Sequence, residues 1–307
     1  MSSNSTLELP GFAVRNYEQN SFLPNTDLVA TFNLLKSSVL VSVSGALRIY
    51  IAFLLIQAQF IVLHCIAGGL IIYSVYTLDR AMDSEEDAVN RAELRGASKK
   101  FTLFICLVCF VAGAFILASG GLLTIAFLPL VTGYLYTKGL VIGNLKIKLK
   151  GGMGIKNTVV GLTWGAFIAG IAGHSAQSSI AILIVFLFFG MKLFVNSTIY
   201  DFKDIKGDSL AGISTLPVSL GERRTRTLIF CMHITSHFIL LFYLLKGTIG
   251  FEPIILFYSL IAGIVSILTF ARSVDTESGK RRAKRLFVVD GESGSIVGLR
   301  AISGLIA

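Results

Sequence analysis

Apolar runs of about the length that a lipid bilayer requires recur along the whole chain. A transmembrane helix needs roughly 20 consecutive, mostly apolar residues. The runs cover residues 36–56, 59–78, 101–118, 121–142, 158–174, 178–200, 227–246, 251–271 and, less regularly, 286–306. The chain is 54% hydrophobic and 15% charged, whereas a soluble domain carries about 25% charged residues. The sequence therefore predicts an all-α polytopic membrane protein with about nine transmembrane helices.

Basic residues alternate between the connections that join these predicted spans. The connections after the second, fourth, sixth and eighth spans are rich in Lys and Arg, and the intervening ones hold almost none. Because basic loops remain on the cytoplasmic side of a membrane, we expect the N-terminus and the basic connections to be cytoplasmic. The same pattern accounts for the net charge of +9. No basic run is interleaved with aromatic residues, so we expect no nucleic-acid partner.

The first residues of the chain differ in composition from the rest. Residues 1–28 are polar and rich in Asn and Ser. They lack the basic start and short apolar stretch of a cleaved signal peptide. We therefore expect a polar N-terminal tail at 1–28, followed by one transmembrane domain at 29–307.

A first aspartate cluster follows the second predicted span. Asp79, Asp83 and Asp87 are spaced by four residues. If the helix continues through them, this spacing places all three on one face. Three like charges in a row destabilise a helix unless a cation compensates them. The cluster therefore indicates a cation site, or else an acidic helix end that neighbouring basic residues balance.

A second cluster follows the sixth predicted span. Asp201, Asp204 and Asp208 are spaced by three and four residues, again on one helical face. An even number of spans separates the two clusters, so we expect both on the same membrane face. Oxygen ligands without His or Cys favour Mg²⁺ over zinc. Carboxylates that face each other across a site and hold Mg²⁺ are suited to a substrate from which a diphosphate group leaves.

The second cluster continues into a long two-part motif. The motif reads Asp201-x-x-Asp204-x-x-Gly207-Asp208, followed by Gly212-x-x-Thr215-Leu216-Pro217-Val218. It resembles the second aspartate-rich motif of the UbiA superfamily of intramembrane prenyltransferases. The first cluster is similar to the family's Asn-x-x-x-Asp-x-x-x-Asp, with Asp79 at the Asn position and Asn90-Arg91 after it. The resemblance covers residues 29–307.

This resemblance implies a fold, a reaction and a set of site residues. The fold is a ring of helices around a central cavity, with both aspartate loops at its cytoplasmic mouth. The reaction is Mg²⁺-dependent transfer of an isoprenyl chain from a prenyl diphosphate to an acceptor, aromatic or lipid, within the membrane. The implied metal ligands are all six aspartates, with Asp83 and Asp204 essential for catalysis. The implied diphosphate contacts are Lys36, Arg91, Tyr136, Lys146, Lys148 and Asn157.

Simpler interpretations remain open for these contacts, and two alternatives remain open for the reaction. The basic residues are equally expected from loop charge alone, and Asn157 could cap a helix. Because Asp79 replaces the family's Asn, cyclisation of the prenyl chain without an acceptor is the main alternative. A cation or phosphate transporter is less favoured, since transporters place ionisable residues near the membrane midplane.

Several polar residues lie inside the apolar runs. Arg48 interrupts the first span, where a charge indicates a functional role unless its side chain reaches the interface. Asp290 and Glu292 interrupt the last run and predict a loop end there. His233 and His237 are four residues apart, and we expect them to form hydrogen bonds between helices.

Overall fold

In a computed structural model, residues 25–82, 97–138, 140–142, 145–147, 152–210, 212–274 and 277–306 are described. These segments are almost entirely helical. The helices are α1 (Asn25–Ser37), α2 (Val39–Ile56), α3 (Val62–Ala81), α4 (Lys99–Ser119), α5 (Leu123–Lys138), α6 (Ile155–Gly173), α7 (Ser179–Leu210), α8 (Leu216–Leu220), α9 (Glu222–Leu245), α10 (Pro253–Phe270), α11 (Gly279–Arg285) and α12 (Glu292–Ile306), with a π-helical turn at Leu286–Asp290 between the last two.

Seven helical segments in the described part of the chain are long and apolar enough to cross a membrane. They are α1 with α2 (from Leu28 to Ile56), α3, α4, α6, α7 (to Ser209), α9 and α10. The all-α, multi-pass membrane class is thereby confirmed. The remaining two predicted spans correspond to α5, whose apolar part is shorter (Leu123–Tyr136), and to α12. The total of nine spans and the cytoplasmic side of the loops stay predictions.

Large apolar side chains lie on both the inside and the outside of the helical assembly. Phe53, Phe167 and Phe189 are almost fully buried, whereas Phe115 and Phe238 are 76% and 67% exposed. A soluble monomer rarely exposes so many large apolar side chains. Exposed side chains of this kind are expected where helices face lipid.

Each long helix packs against its neighbour in the sequence. Contacts run from α2 through α3, α4, α5, α6 and α7 to α9, α10 and α12, and α12 contacts α2 in turn. The most extensive interface joins α6 to α7. There, a Cβ atom on Gly165 would lie 2.9 Å from the Cα atom of Gly190. Glycine thus allows the two backbones to approach closely, which fixes the second aspartate cluster, on α7, beside α6.

Three features differ from the sequence predictions. Helix begins at Asn25, within the predicted tail, whose residues 1–24 lie outside the described part. The fourth predicted span, 121–142, ends as a helix at Lys138. Beyond it, two short antiparallel strands, β1 (Leu140–Ile142) and β2 (Leu145–Ile147), form a hairpin that was not predicted. Each strand has only three residues, too few for a clear sequence pattern.

Candidate functional site

Helix α7 continues without a break through the whole second aspartate cluster. Asp201, Asp204 and Asp208 lie in its last turns, before it ends at Leu210. Their spacing therefore places them on one helical face, as predicted. Asp201 is fully buried and Asp208 is 7% exposed, while the side chain of Asp204 is 21% exposed.

Two consecutive residues of α6 hold Asp201. The Nζ atom of Lys156 lies 2.9 Å from Oδ1 of Asp201, and Asn157 donates from Nδ2 to Oδ2 at 2.8 Å. Asn157 also donates to the Oγ atom of Ser197 at 3.1 Å. The suggestion that Asn157 caps its helix is wrong, because α6 begins after Gly154, whose φ of +69° favours glycine. The contact of Lys156 with Asp201 was not predicted.

The other two aspartates have different surroundings. Asp204 forms an ion pair with Lys203, whose Nζ atom lies 2.7 Å from Oδ1. The Oδ2 atom of Asp208 is buried and makes no hydrogen bond with a described residue by the geometry of its surroundings, although Lys156 and Thr215 lie close enough to interact with this carboxylate. A buried carboxylate oxygen without a partner destabilises a protein, and a hard divalent cation is a suitable partner for it. The carboxylates of this cluster therefore fit Mg²⁺.

The first cluster is described only in part. Asp79 is exposed in the last turn of α3, whereas Asp83, Asp87 and Arg91 lie outside the described residues. Within the described segments, no three His, Cys, Asp or Glu side chains are grouped closely enough to hold a metal ion. A metal site shared by both clusters consequently stays a prediction.

Helices α1 and α3 meet where the first cluster begins. Arg80 donates to the Oγ atoms of Ser37 and Ser38, both at 2.9 Å. Lys36, the adjacent residue on α1, is exposed. Lys36 and Asp79 are therefore at the same end of the helical assembly, and a contact of Lys36 with a diphosphate stays a prediction.

Asp79 and the second cluster lie at this same end. Asp290 accepts a hydrogen bond from the hydroxyl group of Tyr200 and is close enough to Arg80 to interact with it electrostatically. Tyr200 is adjacent to Asp201, and Arg80 is adjacent to Asp79. The ends of α3 and α7 that carry the clusters are thus neighbours, which agrees with the even number of spans predicted between them.

The remaining predicted diphosphate contacts are only partly described. Tyr136, near the end of α5, is half-buried and interacts electrostatically with Lys156. Lys146 lies on β2, but its side chain is outside the described part, as is all of Lys148. The structure therefore brings Tyr136 and Asn157 to the α6–α7 site, and leaves Lys146 and Lys148 as predictions.

A buried polar group that sequence reasoning missed lies deeper between the helices. Lys192 on α7 and Glu292 on α12 form an ion pair of 2.6 Å, with side chains 5% and 3% exposed.

Asp290 ends the π-helical turn, a distortion that is frequent at functional sites. The predicted loop end at Asp290 and Glu292 is wrong, because both residues are helical. Their charges are compensated inside the protein instead of by water.

A second, largely buried ion pair supports this region and joins Glu277, just before α11, to Arg285, the last residue of that helix. Arg285 forms two hydrogen bonds with Glu277, of 2.9 and 2.7 Å, and its guanidinium lies 4.2 Å from the centre of the Tyr200 ring. Burial alone would raise the pKa of Glu277, but the hydrogen bonds and the positive charge of Arg285 outweigh it and lower that pKa. Glu277 therefore remains ionised in the folded protein at neutral pH.

The histidine pair was correctly interpreted. The Nε2 atom of His237 lies 2.6 Å from the Oγ atom of Ser259, and that of His233 lies 3.0 Å from the carbonyl oxygen of Leu260. Both contacts join α9 to α10. The histidines thus hold two helices together.

Comparison with protein families decides the classification. The model of the UbiA prenyltransferase family matches residues 38–290, most of the chain and both aspartate clusters. The chain belongs to the UbiA prenyltransferase family. One UbiA relative, the digeranylgeranylglyceryl phosphate synthase of Sulfolobus acidocaldarius, is 30% identical over 167 residues, 52% of this chain. That match spans only about half of the relative, 54% of its length.

Solved structures of UbiA homologues share the fold. The apo structure of a homologue from Aeropyrum pernix K1 has a TM-score of 0.60 and 14% identity, and the match covers 86% of this chain and 98% of that chain. A homologue from Archaeoglobus fulgidus, bound to DMAPP and Mg²⁺, has a TM-score of 0.57 and 13% identity, with 88% and 99% covered. At these identities the likeness shows the fold alone.

Proposed function

We propose that this protein transfers an isoprenyl group from a prenyl diphosphate to an acceptor within the membrane, with Mg²⁺ as its cofactor. The observation that carries the proposal is the site at the α6–α7 interface. Asp201 is held there by Lys156 and Asn157, while a buried oxygen of Asp208 is left for a cation. The structural relative bound to DMAPP and Mg²⁺ supports this choice of donor and metal.

The proposed cofactor site joins the two clusters. Asp79, Asp83 and Asp87 on one side, and Asp201, Asp204 and Asp208 on the other, would hold Mg²⁺, with Asp83 and Asp204 essential. When bound, Mg²⁺ offsets the negative charge that develops on a departing diphosphate. The all-oxygen donor set and the unpaired Asp208 oxygen support this assignment.

The chain's own residues would bind and orient the donor. Lys156 and Asn157 hold the Asp201 carboxylate in one orientation. The side chains that would contact the diphosphate oxygens are Lys36, Arg91, Tyr136, Lys146 and Lys148. Asn157, also expected there from the sequence, is buried and donates both amide hydrogens to Asp201 and Ser197, so it would support the site through Asp201. During transfer, the bond between C1 of the prenyl chain and the diphosphate oxygen breaks. The nucleophilic atom of the acceptor bonds to C1 and loses its proton.

The interior of the protein would protect the reacting carbon from water. Tyr76 stacks on Trp164 with ring centres 5.4 Å apart, one helical turn from Asp79. An apolar, aromatic environment excludes water from an allylic cation and stabilises its charge. We further propose that the helices of residues 29–307 form one domain, a ring around a central cavity whose aspartate end faces the cytoplasm. The succession of contacts from α2 to α12 and back to α2 supports this.

The test is turnover of purified protein in detergent or liposomes. C10 to C20 prenyl diphosphates are supplied with Mg²⁺ and a panel of aromatic and lipid acceptors, and products are identified by mass spectrometry. We expect acceptor-dependent pyrophosphate release and a prenylated acceptor. A terpene product formed without any acceptor would instead establish cyclisation, and unchanged turnover in Asp83→Asn and Asp204→Asn would refute the assigned site.

A further inference from the structure

Basic residues are concentrated in two short segments of the chain, 222–226 and 271–285, which hold nine bases and three acids. Of the acids, Glu222 pairs with Arg226, Glu277 pairs with Arg285, and the third, Asp275, lies outside the described residues. Five of the bases are exposed and form no ion pair with a described residue. These five, called the basic rim below, are Arg223, Arg224, Arg272, Lys280 and Lys284.

The two segments adjoin in the fold. The first begins α9, and the second follows α10 and contains α11. The Nε atom of Arg226 donates to the carbonyl oxygen of Ala271 at 2.9 Å, which ties the start of α9 to the end of α10. The guanidinium of Arg281, on α11, lies 5.4 Å from the centre of the Phe270 ring, the last residue of α10. The basic rim is therefore one surface at the meeting ends of three helices.

On α9, the basic rim begins a row of exposed side chains. Arg224 is exposed, and further exposed residues follow it at intervals of three or four along one helical face. This row, which is mostly apolar, consists of Leu228, Cys231, Thr235, Phe238, Phe242 and Leu245. Because α9 is long and apolar enough to cross a membrane, we expect the row to face lipid. Arg224 therefore lies on the lipid-facing side of α9, away from the interior.

The end of α10 repeats this arrangement. Its exposed apolar side chains are again spaced by three or four residues: Phe257, Ile261, Val265 and Leu268. Arg272 comes four residues after Leu268, just beyond the end of the helix, and is exposed. On α11, Lys280 and Lys284 are followed by Phe287, which is 65% exposed. Three neighbouring elements thus each combine exposed apolar side chains with exposed bases.

This combination places the basic rim at the level of the lipid headgroups. The apolar rows of α9 and α10 suit the hydrocarbon region, and the bases lie where those rows end. Long basic side chains at such positions extend into the interface. Clusters of four to eight Lys and Arg beside a membrane span attract anionic lipids, and guanidinium groups match phosphate oxygens in geometry. The headgroup phosphates are therefore the anions that this surface meets first.

We propose that the basic rim binds the phosphate groups of anionic phospholipids. The inference goes beyond the proposed function, because these lipids are ligands of the outer surface and are not consumed. Arg285, the last residue of α11, lies 4.2 Å from the centre of the Tyr200 ring, and Tyr200 is adjacent to Asp201. The bound lipids would therefore surround the same end of the protein as the second aspartate cluster.

The test measures the melting temperature of the purified full chain in detergent during titration with dioleoyl phosphatidylglycerol, which is anionic, or dioleoyl phosphatidylcholine, which is zwitterionic. The double variant Arg224→Gln/Arg272→Gln removes the two bases at the ends of the apolar rows. Arg224→Lys/Arg272→Lys keeps both charges. Lys246→Gln is the control, because Lys246 is exposed at the opposite end of α9.

We expect phosphatidylglycerol to stabilise the wild type at concentrations at which phosphatidylcholine does not, because a ligand that binds the folded state raises the melting temperature. The double Gln variant should need about 10- to 30-fold more phosphatidylglycerol for half-maximal stabilisation, and each single variant about 5-fold more. The single variants serve if the double one does not fold. The double Lys variant and Lys246→Gln should remain within about twofold of the wild type, and added salt should weaken the effect.

Other outcomes overturn the inference and identify what replaces it. Equal stabilisation by both lipids, or an unchanged titration in the double Gln variant, would show that the basic rim does not bind lipid phosphates. Equal stabilisation by soluble polyglutamate would assign the surface to an acidic protein partner. Equal stabilisation by inorganic phosphate would make it an unselective anion surface. A raised KM for the prenyl diphosphate in phosphatidylcholine liposomes, with an unchanged lipid titration, would assign the surface to capture of the donor.

Discussion

Lys156 and Asn157 each hold a different oxygen of Asp201, Lys156 at 2.9 Å from Oδ1 and Asn157 at 2.8 Å from Oδ2. The two residues are consecutive on α6, and Asp201 lies on α7. The buried carboxylate is therefore compensated by a cation and an amide from the neighbouring helix. This contact sets the position of the second aspartate cluster relative to the rest of the proposed site.

Replacing Asn157 tests whether the orientation of the Asp201 carboxylate matters for catalysis. In Asn157→Ala, Asp201 loses one hydrogen bond and can rotate, so we expect kcat/KM to fall about 10-fold or more. Steady-state assays of pyrophosphate release measure the effect. Thr158→Ala is the matched control, because the Thr158 hydroxyl donates to Gly154 within its own helix, and we expect it to change the rate less than twofold. Equal losses in both variants would contradict the prediction.

Asp208 should determine the affinity for the metal. Its buried Oδ2 atom makes no hydrogen bond with a described residue and is available to a cation. We expect Asp208→Asn to raise the Mg²⁺ concentration that gives half-maximal activity about 10-fold or more, with activity partly restored at high Mg²⁺. Glu222→Gln changes a partly exposed acid that pairs with Arg226 and Ser273, and its Mg²⁺ titration should match the wild type. An unaltered titration in Asp208→Asn would remove this residue from the metal site.

Lys192 and Glu292 should stabilise the folded protein chiefly because each neutralises the buried charge of the other. Removing one partner leaves a buried charge, so Lys192→Met or Glu292→Met should each lower the free energy of unfolding by about 3–5 kcal/mol. The double variant should lose less than either single variant. Thermal unfolding in detergent gives the comparison, with Lys246→Met as control for an exposed lysine near an aromatic ring. Additive losses would show that the two residues are not coupled.

Acidification should weaken the Glu277–Arg285 pair. The pKa of Glu277 is lowered in the folded protein from its ordinary value of 4.5. Its contribution to stability is therefore fully present above this value and is lost as the pH falls through the folded-state pKa. The melting temperature of the wild type should exceed that of Glu277→Gln at pH 7, and the difference should disappear in strong acid. A constant difference across the titration would contradict this linkage.

The sequence predicted the elements that a local pattern specifies. Apolar length identified the membrane helices, and the spacing of Asp201, Asp204 and Asp208 identified one helical face. Span parity predicted that both clusters lie on one membrane face; the described ends of α3 and α7 are neighbours, and the membrane face stays a prediction. The first two of these conclusions depend only on residues near one another in the chain, and the parity argument needs only a count of the spans between the clusters.

Contacts between distant segments could not be predicted in the same way. Lys156 looked like one of several loop lysines, and nothing local indicates that it meets Asp201, 45 residues away. Asp290 and Glu292 suggested a loop, because their partners on α7 lie 90 and 100 residues earlier in the chain. From the sequence alone, a buried charged residue is easily taken for a loop residue, because the residue that compensates its charge is distant in the chain.

The central claim is that the two aspartate clusters act together on a prenyl diphosphate. The most direct measurement is Mg²⁺-dependent release of pyrophosphate from geranylgeranyl diphosphate, with mass spectrometry of the product, in the wild type, Asp83→Asn, Asp204→Asn and Glu222→Gln. We expect transfer in the wild type and Glu222→Gln, and a loss of at least about 100-fold in both aspartate variants. Wild-type turnover that persists in Asp83→Asn and Asp204→Asn, or without Mg²⁺, would contradict the account.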